Sequence, residues 1–511
     1  MHQRRLKLSA LLRARWFSRT VRVLGCTLLI PSLTGCIVTG YDKPDLALEI
    51  PDNYRTAHGD TAPPELDWWR GFHSRELTEY IEQAQTANFD IAVAIAQVEQ
   101  ADALVRISGA SLLPTVDASA TVTRSQTAST GSSSSTRAGS GLTSTLYNTN
   151  LNASYVLDVW GKNRAALLAT EESAVASRFN REVVTLTTMT TVANTYFLVL
   201  GTQDRLRVTY ENVAAATRIL NLVKQQFTVG TTSQLEVSQQ EALLATVRAS
   251  IPPLEVIVRQ NKAALALLIG RAPEHVDLHG GTLTRLAIPR VTPGLPSEIL
   301  TQRPDVRQAE TQLASSNYSV ESARAAFFPT IQLTGQAGFE SLALRSLFGP
   351  GAFFYTAAAS LTQPVFDGFL LLGQLEQQQA LQKQFLQAYR KSVISAFTDV
   401  EKALIAVEEF TREERLQSQA VASSRRAFQL SEAQLQAGTV NLITVLQTEQ
   451  TLFTAEDVLA QVRTARFQAI IGLYQALGGG WPPKIEIARE AHERAVEVNP
   501  PGTVAEPSLN P

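Results

Sequence analysis

Cysteine is nearly missing from this sequence: there are two in 511 residues, Cys26 and Cys36. With only six histidines beside them, a disulfide scaffold and a zinc-ribbon protein are excluded. Charge of one sign is also lacking, since 45 basic against 47 acidic residues leave a formal charge of −2, which argues against a nucleic-acid partner. Aromatics reach only 7% and charged residues 18%. Yet 44% of the chain is hydrophobic, too much for a disordered protein. No continuous apolar run of about 18 residues follows residue 36, so no helical membrane span is expected in the mature chain. Proline is absent between Pro114 and Pro252 and again between Pro364 and Pro482, which leaves room for long uninterrupted helices. The length alone would suit about three domains.

Residues 1–35 carry Arg4, Arg5, Lys7, Arg13, Arg15, Arg19 and Arg22 and no acid. The apolar run Val23 to Leu33 that follows is too short for a bilayer span and reads as the core of a signal peptide. It ends in Leu33-Thr34-Gly35-Cys36, which resembles the lipobox of bacterial lipoproteins. That resemblance makes Cys36 the lipidated first residue of the mature chain and leaves no thiol for a disulfide or for redox chemistry. Cys26 is the weaker choice, because bulky Leu24 precedes Gly25 and much of the apolar run lies after it. Ile37, rather than Asp, follows the cysteine, which by the same resemblance points to the outer membrane.

The rest of the chain reads as a duplication. Leu113-Pro114-Thr115 aligns with Phe328-Pro329-Thr330, Gly161 with Gly368, Phe227 to Thr231 with Leu435 to Thr439, and Ala266 to Gly270 with Tyr474 to Gly478. These pairs are separated by about 210 residues, the spacing expected of a large internal repeat. The small excess at the first pair falls between Pro114 and Gly161, where a Ser/Thr/Gly tract (Ser125 to Ser144) marks a loop insertion. The first repeat is expected over 36–290, the second over 291–484, and a Pro-rich tail over 485–511.

Each half opens with two segments of period-2 alternation, at about 115–124 and 146–157, then 330–339 and 353–363. Val116, Ala118, Ala120 and Val122 alternate with Asp117, Ser119, Thr121 and Thr123. Leu151, Ala153, Tyr155 and Leu157 alternate with Asn150, Asn152 and Ser154; Leu333, Ala337 and Phe339 with Thr334 and Gln336; Tyr355, Ala357, Ala359 and Leu361 with Thr356, Ser360 and Thr362. The pattern fits half-buried strands of a soluble sandwich or membrane strands with one lipid face and one polar lumen face.

Each half then turns helical. In Leu386, Tyr389, Val393, Phe397, Val400, Leu404, Val407 and Phe410 the apolar positions recur every three or four residues, as in helices packed side by side. Long helices over about 162–227 and 369–436 would each measure about 100 Å, longer than a compact globule of this size, about 60 Å across. An elongated molecule is therefore expected. Gly230 and Gly438 stand where each long helix should reverse, into return helices over about 232–270 and 440–477.

Four membrane strands cannot close a barrel, and open edges cannot face lipid. Chains must pool strands: two would make eight, with a bore filled by side chains, and three would make twelve, with a lumen. The fold class expected is predominantly α-helical with a membrane β-barrel. It comprises a duplicated strand-strand-helix-helix repeat, a trimeric twelve-stranded barrel and a long α-helical barrel continuing it into the periplasm.

The residues resemble those of the outer-membrane-factor family, the trimeric TolC/OprM-type channels, and within it the NodT-like lipoproteins of resistance–nodulation–division efflux pumps. The resemblance rests on Leu33 to Cys36, Asp67-Trp68-Trp69-Arg70-Gly71-Phe72, Ala87-Asn88-Phe89-Asp90-Ile91 and Leu157-Asp158-Val159-Trp160-Gly161-Lys162. It continues through Gly294-Leu295-Pro296-Ser297, Arg303-Pro304-Asp305-Val306-Arg307 and Gln363-Pro364-Val365-Phe366-Asp367-Gly368. It implies a homotrimer in outer-membrane lipid, partnered by a periplasmic adaptor and an inner-membrane transporter, with no cofactor beyond the lipid on Cys36. It also implies that the turns at Gly230 and Gly438 form a periplasmic tip narrowed by acidic residues and a Tyr–Arg link. Carried over position by position, Glu236 matches a family acid, while Thr444 stands at its counterpart in the second half. Gln447 replaces an Asp, Leu435 the Tyr and Val440 the Arg. The charged lock is thus largely missing from this chain.

Other readings are an enzyme, a structural coiled-coil trimer and a channel for type I protein secretion. The best enzymatic constellation is His275 and His279, four apart and able to share a metal if helical, but Ala272-Pro273 and Gly280-Gly281 flank them as in a loop. No nucleophile elbow, phosphate loop or dinucleotide glycine pattern occurs in a fitting context. Trp68 and Trp69 read as packing anchors. No enzymatic activity is expected.

Overall fold

A computed structural model of the chain describes Leu46, Leu48, Tyr54 and residues 67–126, 143–276, 278–279, 281–289, 291 and 296–479. The leader with Cys36, the motif residues Gly294 and Leu295, and the tail over 485–511 lie outside the described residues. The chain divides into two units. The first takes Asp102–Ser173 and Leu313–Phe385, and the second draws on Asp45–Ala101, Ala174–Gln312 and Leu386–Pro511.

The first unit is built on one antiparallel sheet of β1 (Thr115–Gln126), β2 (Thr143–Leu157), β3 (Thr330–Ser341) and β4 (Phe353–Thr362), paired in that order. The register brings every apolar set to one face. Ala118 lies opposite Leu151, Leu151 opposite Ala337, and Ala337 opposite Tyr355. On the other face Ser119 lies opposite Asn150 and Thr121 opposite Asn148. Because side chains alternate strictly, a slip of one residue would exchange the faces. Nearly all of β1 and β4 is solvent-exposed in the single chain, on both faces.

Side chains on the polar face are tied together. Ser119 Oγ donates to Asn150 Oδ1 (2.6 Å), Asn150 Nδ2 to Asn148 Oδ1 (2.7 Å), and Asn148 Nδ2 to Glu340 Oε2 (2.9 Å). Between β2 and β3 the backbones approach so closely at Gly338 that a Cβ there would run into the Thr149 carbonyl and Asn150. The first hairpin extends beyond its expected bounds at the turn end, where Gln126 pairs with Thr143.

The motif residues around the sheet are junction devices. The Asp158 carboxylate accepts from the Asn163 and Arg164 amides (2.9 and 2.8 Å) at the start of the following helix. Trp160 stacks on Phe328 (5.0 Å between centroids) and donates through Nε1 to the Pro329 carbonyl (2.6 Å). Asp367 caps the Leu371 amide (2.9 Å) at the corresponding place after β4.

The helices are α1 (Arg75–Ala87), α2 (Phe89–Ala110), α3 (Lys162–Thr228), α4 (Gln234–Ala249) and α5 (Ile251–Leu268), then α6 (Pro296–Gln302), α7 (Pro304–Ala325), α8 (Leu370–Gln436) and α9 (Leu442–Ala476). α3 and α8 have 67 residues each. α9 runs for 35 residues unbroken. The return segment expected as one helix over 232–270 is instead two, α4 and α5, parted at Ser250. Pro252 and Pro253 withhold the amides that would bridge the break, and their rings cannot follow a preceding helical turn. Among the described residues one helix, α3, has a stretch with a mean hydropathy of 1.4, apolar enough by composition to cross a bilayer, but 56% of that stretch is buried inside the structure, as in a core helix.

Two apolar cores hold the second unit. One gathers around Trp68, which stacks on Tyr474 (5.1 Å) and meets Trp69 and Phe72 edge-on, with Phe197, Met189, Leu265 and Phe467 about them. The tryptophan pair is thus packed in the interior. The other core joins Ile219, Val223, Val237, Leu244, Phe428, Leu435, Leu442, Val445 and Leu452. Along α8 the apolar stripe follows Tyr389, Val393, Ala396, Val400 and Leu404. Ala396 is buried where Phe397 was expected, and Phe397 is half-buried beside it.

Candidate functional site

The second core lies under the two helix reversals, and both reversals have the same construction. Gly230 and Gly438 adopt left-handed backbone angles (φ 78° and 70°). Thr231 N donates to Gln226 O and Thr439 N to Gln434 O (both 2.9 Å), so the last carbonyls of α3 and α8 are satisfied as the chain leaves the helix. Among the described residues, apart from each glycine's own chain neighbours, nothing lies within 4 Å of the place a Cβ would occupy at either glycine. Backbone angle, rather than space, selects glycine there.

The residues expected at the aperture separate by role. Glu236 is the third residue of α4, and its Oε2 accepts from the Ser233 amide (2.9 Å) and from the Thr232 hydroxyl. It closes a capping box with Ser233, so this carboxylate holds its own helix start. Thr444 occupies the same place in α9 and bonds Asn441 Oδ1 through its amide and hydroxyl (3.2 and 2.9 Å). Gln447 is exposed. Leu435 is buried in the apolar core, with Val440 packed against it. Leu435 and Val440 thus belong to the same apolar core, and Gln447 stays outside it.

A buried polar pair in the same core escaped the sequence reading. Glu449 and Gln240 are both fully buried, at 0% exposure. Gln240 Nε2 donates to the Ala216 carbonyl (3.1 Å) and to Glu449 Oε2 (3.3 Å). Among the described residues, Gln240 Oε1 and Glu449 Oε1 have no partner. Burial pushes the Glu449 carboxyl up from 4.5 to about 7. The Gln240 bond lowers it, Glu432 raises it and Arg218 lowers it. A signal was present: in Leu442, Val445, Glu449, Leu452 the acid takes an inward position of the three-four repeat.

His275 ends a short turn, Pro273–His275, and His279 lies beyond it with its amide on Glu76 Oε1 (2.9 Å). The two do not share a helix, and among the described residues no three potential ligands gather into a metal site.

Comparison with known proteins adds to this geometry. The family model described as outer membrane efflux protein matches residues 80–271 and 295–479. The chain is 37% identical over 427 residues to the pyoverdine export outer membrane protein OpmQ of Pseudomonas putida, covering 83% of this chain and 90% of that protein. It is 28% identical over 477 residues to the probable efflux pump outer membrane protein TtgC of Pseudomonas putida, over 92% and 97% of the two chains. The solved outer-membrane channel OprN superposes with a TM-score of 0.82 at 25% identity, over 87% of this chain and 99% of that one.

Proposed function

This chain belongs to the outer membrane efflux protein family, and we propose that three copies of it form the exit duct of a tripartite resistance–nodulation–division efflux pump. In this reading it sits in the cell outer membrane, anchored by lipid on Cys36. It passively conducts small molecules that an inner-membrane transporter delivers through a periplasmic adaptor. The turns at Gly230 and Gly438 form its periplasmic end. The similarity to proteins named for efflux and export supports the pathway. The two separate stretches matched by the family model support a tandem duplication.

The observation that carries the proposal is the sheet. Among the described residues its four strands present one apolar and one polar face and end in two unpaired edges, β1 and β4. In lipid such edges are untenable, and twelve strands from three copies remove them. The β2–β3 junction also suggests how copies meet. Tyr155, five before Trp160, lies opposite Leu333, four after Pro329. The matching junction would join β4 to β1 of a second copy. Leu361, five before Phe366, would face Ala118, four after Pro114, and Ser360 would face Ser119. Apolar and polar faces then continue unbroken around the ring. Phe366, the aromatic that follows β4 as Trp160 follows β2, and Leu113, at the place of Phe328, are 81% and 67% exposed and would pack across that junction.

The test is oxidative cross-linking in mild detergent. A Ser119→Cys/Ser360→Cys double variant should run as covalently linked dimers and trimers, while Ser119→Cys/Leu361→Cys, with side chains on opposite faces, should not. A monomer that keeps its strand content by circular dichroism would defeat the trimeric channel. A second expectation concerns selectivity. If Gln447 faces the aperture, three copies of Gln447→Asp add a ring of negative charge that attracts cations. The reversal potential in planar bilayers should then shift towards cation preference. An unchanged potential would place the aperture elsewhere.

A further inference from the structure

The buried pair Glu449–Gln240 has a chemistry that is unusual for a helical core. A carboxyl with 0% exposure stands on α9 between Val445 and Leu452, both members of the apolar core. Its sole bond among the described residues is a 3.3 Å contact from an amide that also serves the Ala216 carbonyl. Each member of the pair keeps one oxygen without a partner. Two acceptors without a donor are costly in a dry core, and an ionised carboxylate there is costlier still. A proton on Glu449 relieves this, because it removes the charge and turns one orphan acceptor of the pair into a donor.

We propose that Glu449 is a proton-responsive latch of this bundle: as the neutral acid it holds α3, α4 and α9 packed beneath the two turns, and as the carboxylate it loosens them. The charged groups that act on it from neighbouring helices do not neutralise it. Glu432 on α8 opposes ionisation and Arg218 on α3 favours it, but those two are engaged with each other at 4.0 Å. The sign follows from linkage. Folding favours the protonated form, so its stabilisation is complete below the ordinary carboxyl range and is lost as pH rises through about 7. The latch is closed in acid and slack above neutrality. Its consequence for transport rests on the reading of the Gly230 and Gly438 turns as the channel's periplasmic end.

The test compares the full chain with Glu449→Gln, which keeps the shape of the neutral acid and cannot ionise, and with Glu449→Asp, which still can. Amide hydrogen exchange is followed over residues 216–245 and 435–455 at pH 5.5 and pH 8, comparing variants at the same pH so that intrinsic exchange cancels. At pH 5.5 the wild type should lie much closer to Glu449→Gln than it does at pH 8, because most of the loss falls between those values. At pH 8 the wild type should exchange faster by roughly tenfold or more, and Glu449→Asp should keep a pH response. Equal protection of wild type and Glu449→Gln at pH 8 overturns the latch. Planar-bilayer conductance of the same preparations separates the two readings. If open probability rises from pH 5.5 to 8 in the wild type but not in Glu449→Gln, both stand. If exchange shifts and conductance does not, the latch stands and the assignment of the turns as the aperture falls.

Discussion

Replacing Arg303 by leucine should lower the stability of the folded chain by about 2–4 kcal/mol. The guanidinium, with its side chain 11% exposed, serves three acceptors at once. It makes a forked pair with Asp305 (3.0 and 2.6 Å), a bond to Asp399 (3.3 Å), and a bond from Nη1 to the Ala476 carbonyl at the end of α9 (3.1 Å). Leucine fills some of the volume but strands two carboxylates and an uncapped helix end. The carboxylates are 37% and 42% exposed, so water recovers part of the loss, which keeps the expectation below that for a fully buried pair. Arg303→Lys should recover little, because one ammonium cannot span a fork and a carbonyl together. Thermal or urea unfolding in mild detergent measures both variants. Wild-type stability in Arg303→Lys would show that charge alone matters there.

A valine at position 201 should cost about 1–3 kcal/mol through overpacking. Gly201 lies where α3 and α9 touch, and a Cβ there would overlap the Thr464 side chain. Thr464 is buried, is branched at Cβ and has its hydroxyl tied to the Ala460 carbonyl (2.9 Å), so it cannot swing away. Thr464→Ala opens the space, and Gly201→Ala/Thr464→Ala should recover most of the stability lost by Gly201→Ala alone. Additive effects in that double-mutant cycle would mean that the two residues are not in contact.

The strand faces were legible because they depend on a local rule. Val116 and Asp117 point to opposite sides whatever the sheet pairs with, and all four strands carry the rule in step. The helix reversals were legible because a left-handed residue at Gly230 and Gly438 is a backbone requirement that side-chain type announces. The break at Ser250 was also written locally, in Pro252 and Pro253, and the long apolar periodicity on either side hid it. The role of Glu236 had its own local sign, a serine three residues ahead of an acid, which is the spacing of a capping box.

Glu449 and Gln240 were not legible in the same way. A lone acid or amide in a polar helix usually faces water, and only the packing of α3, α4 and α9 turns those two inward. Arg303 belongs with them, since its three acceptors come from residues 305, 399 and 476, far apart in sequence. By itself the sequence determined most of the elements: where strands alternate, where the long helices lie and which glycines turn them, all of which depend on neighbours within a few residues. The tertiary structure alone decided which polar groups are shut away from water, because burial depends on what distant segments place over a side chain. That choice converts an ordinary glutamate into a proton-sensitive one.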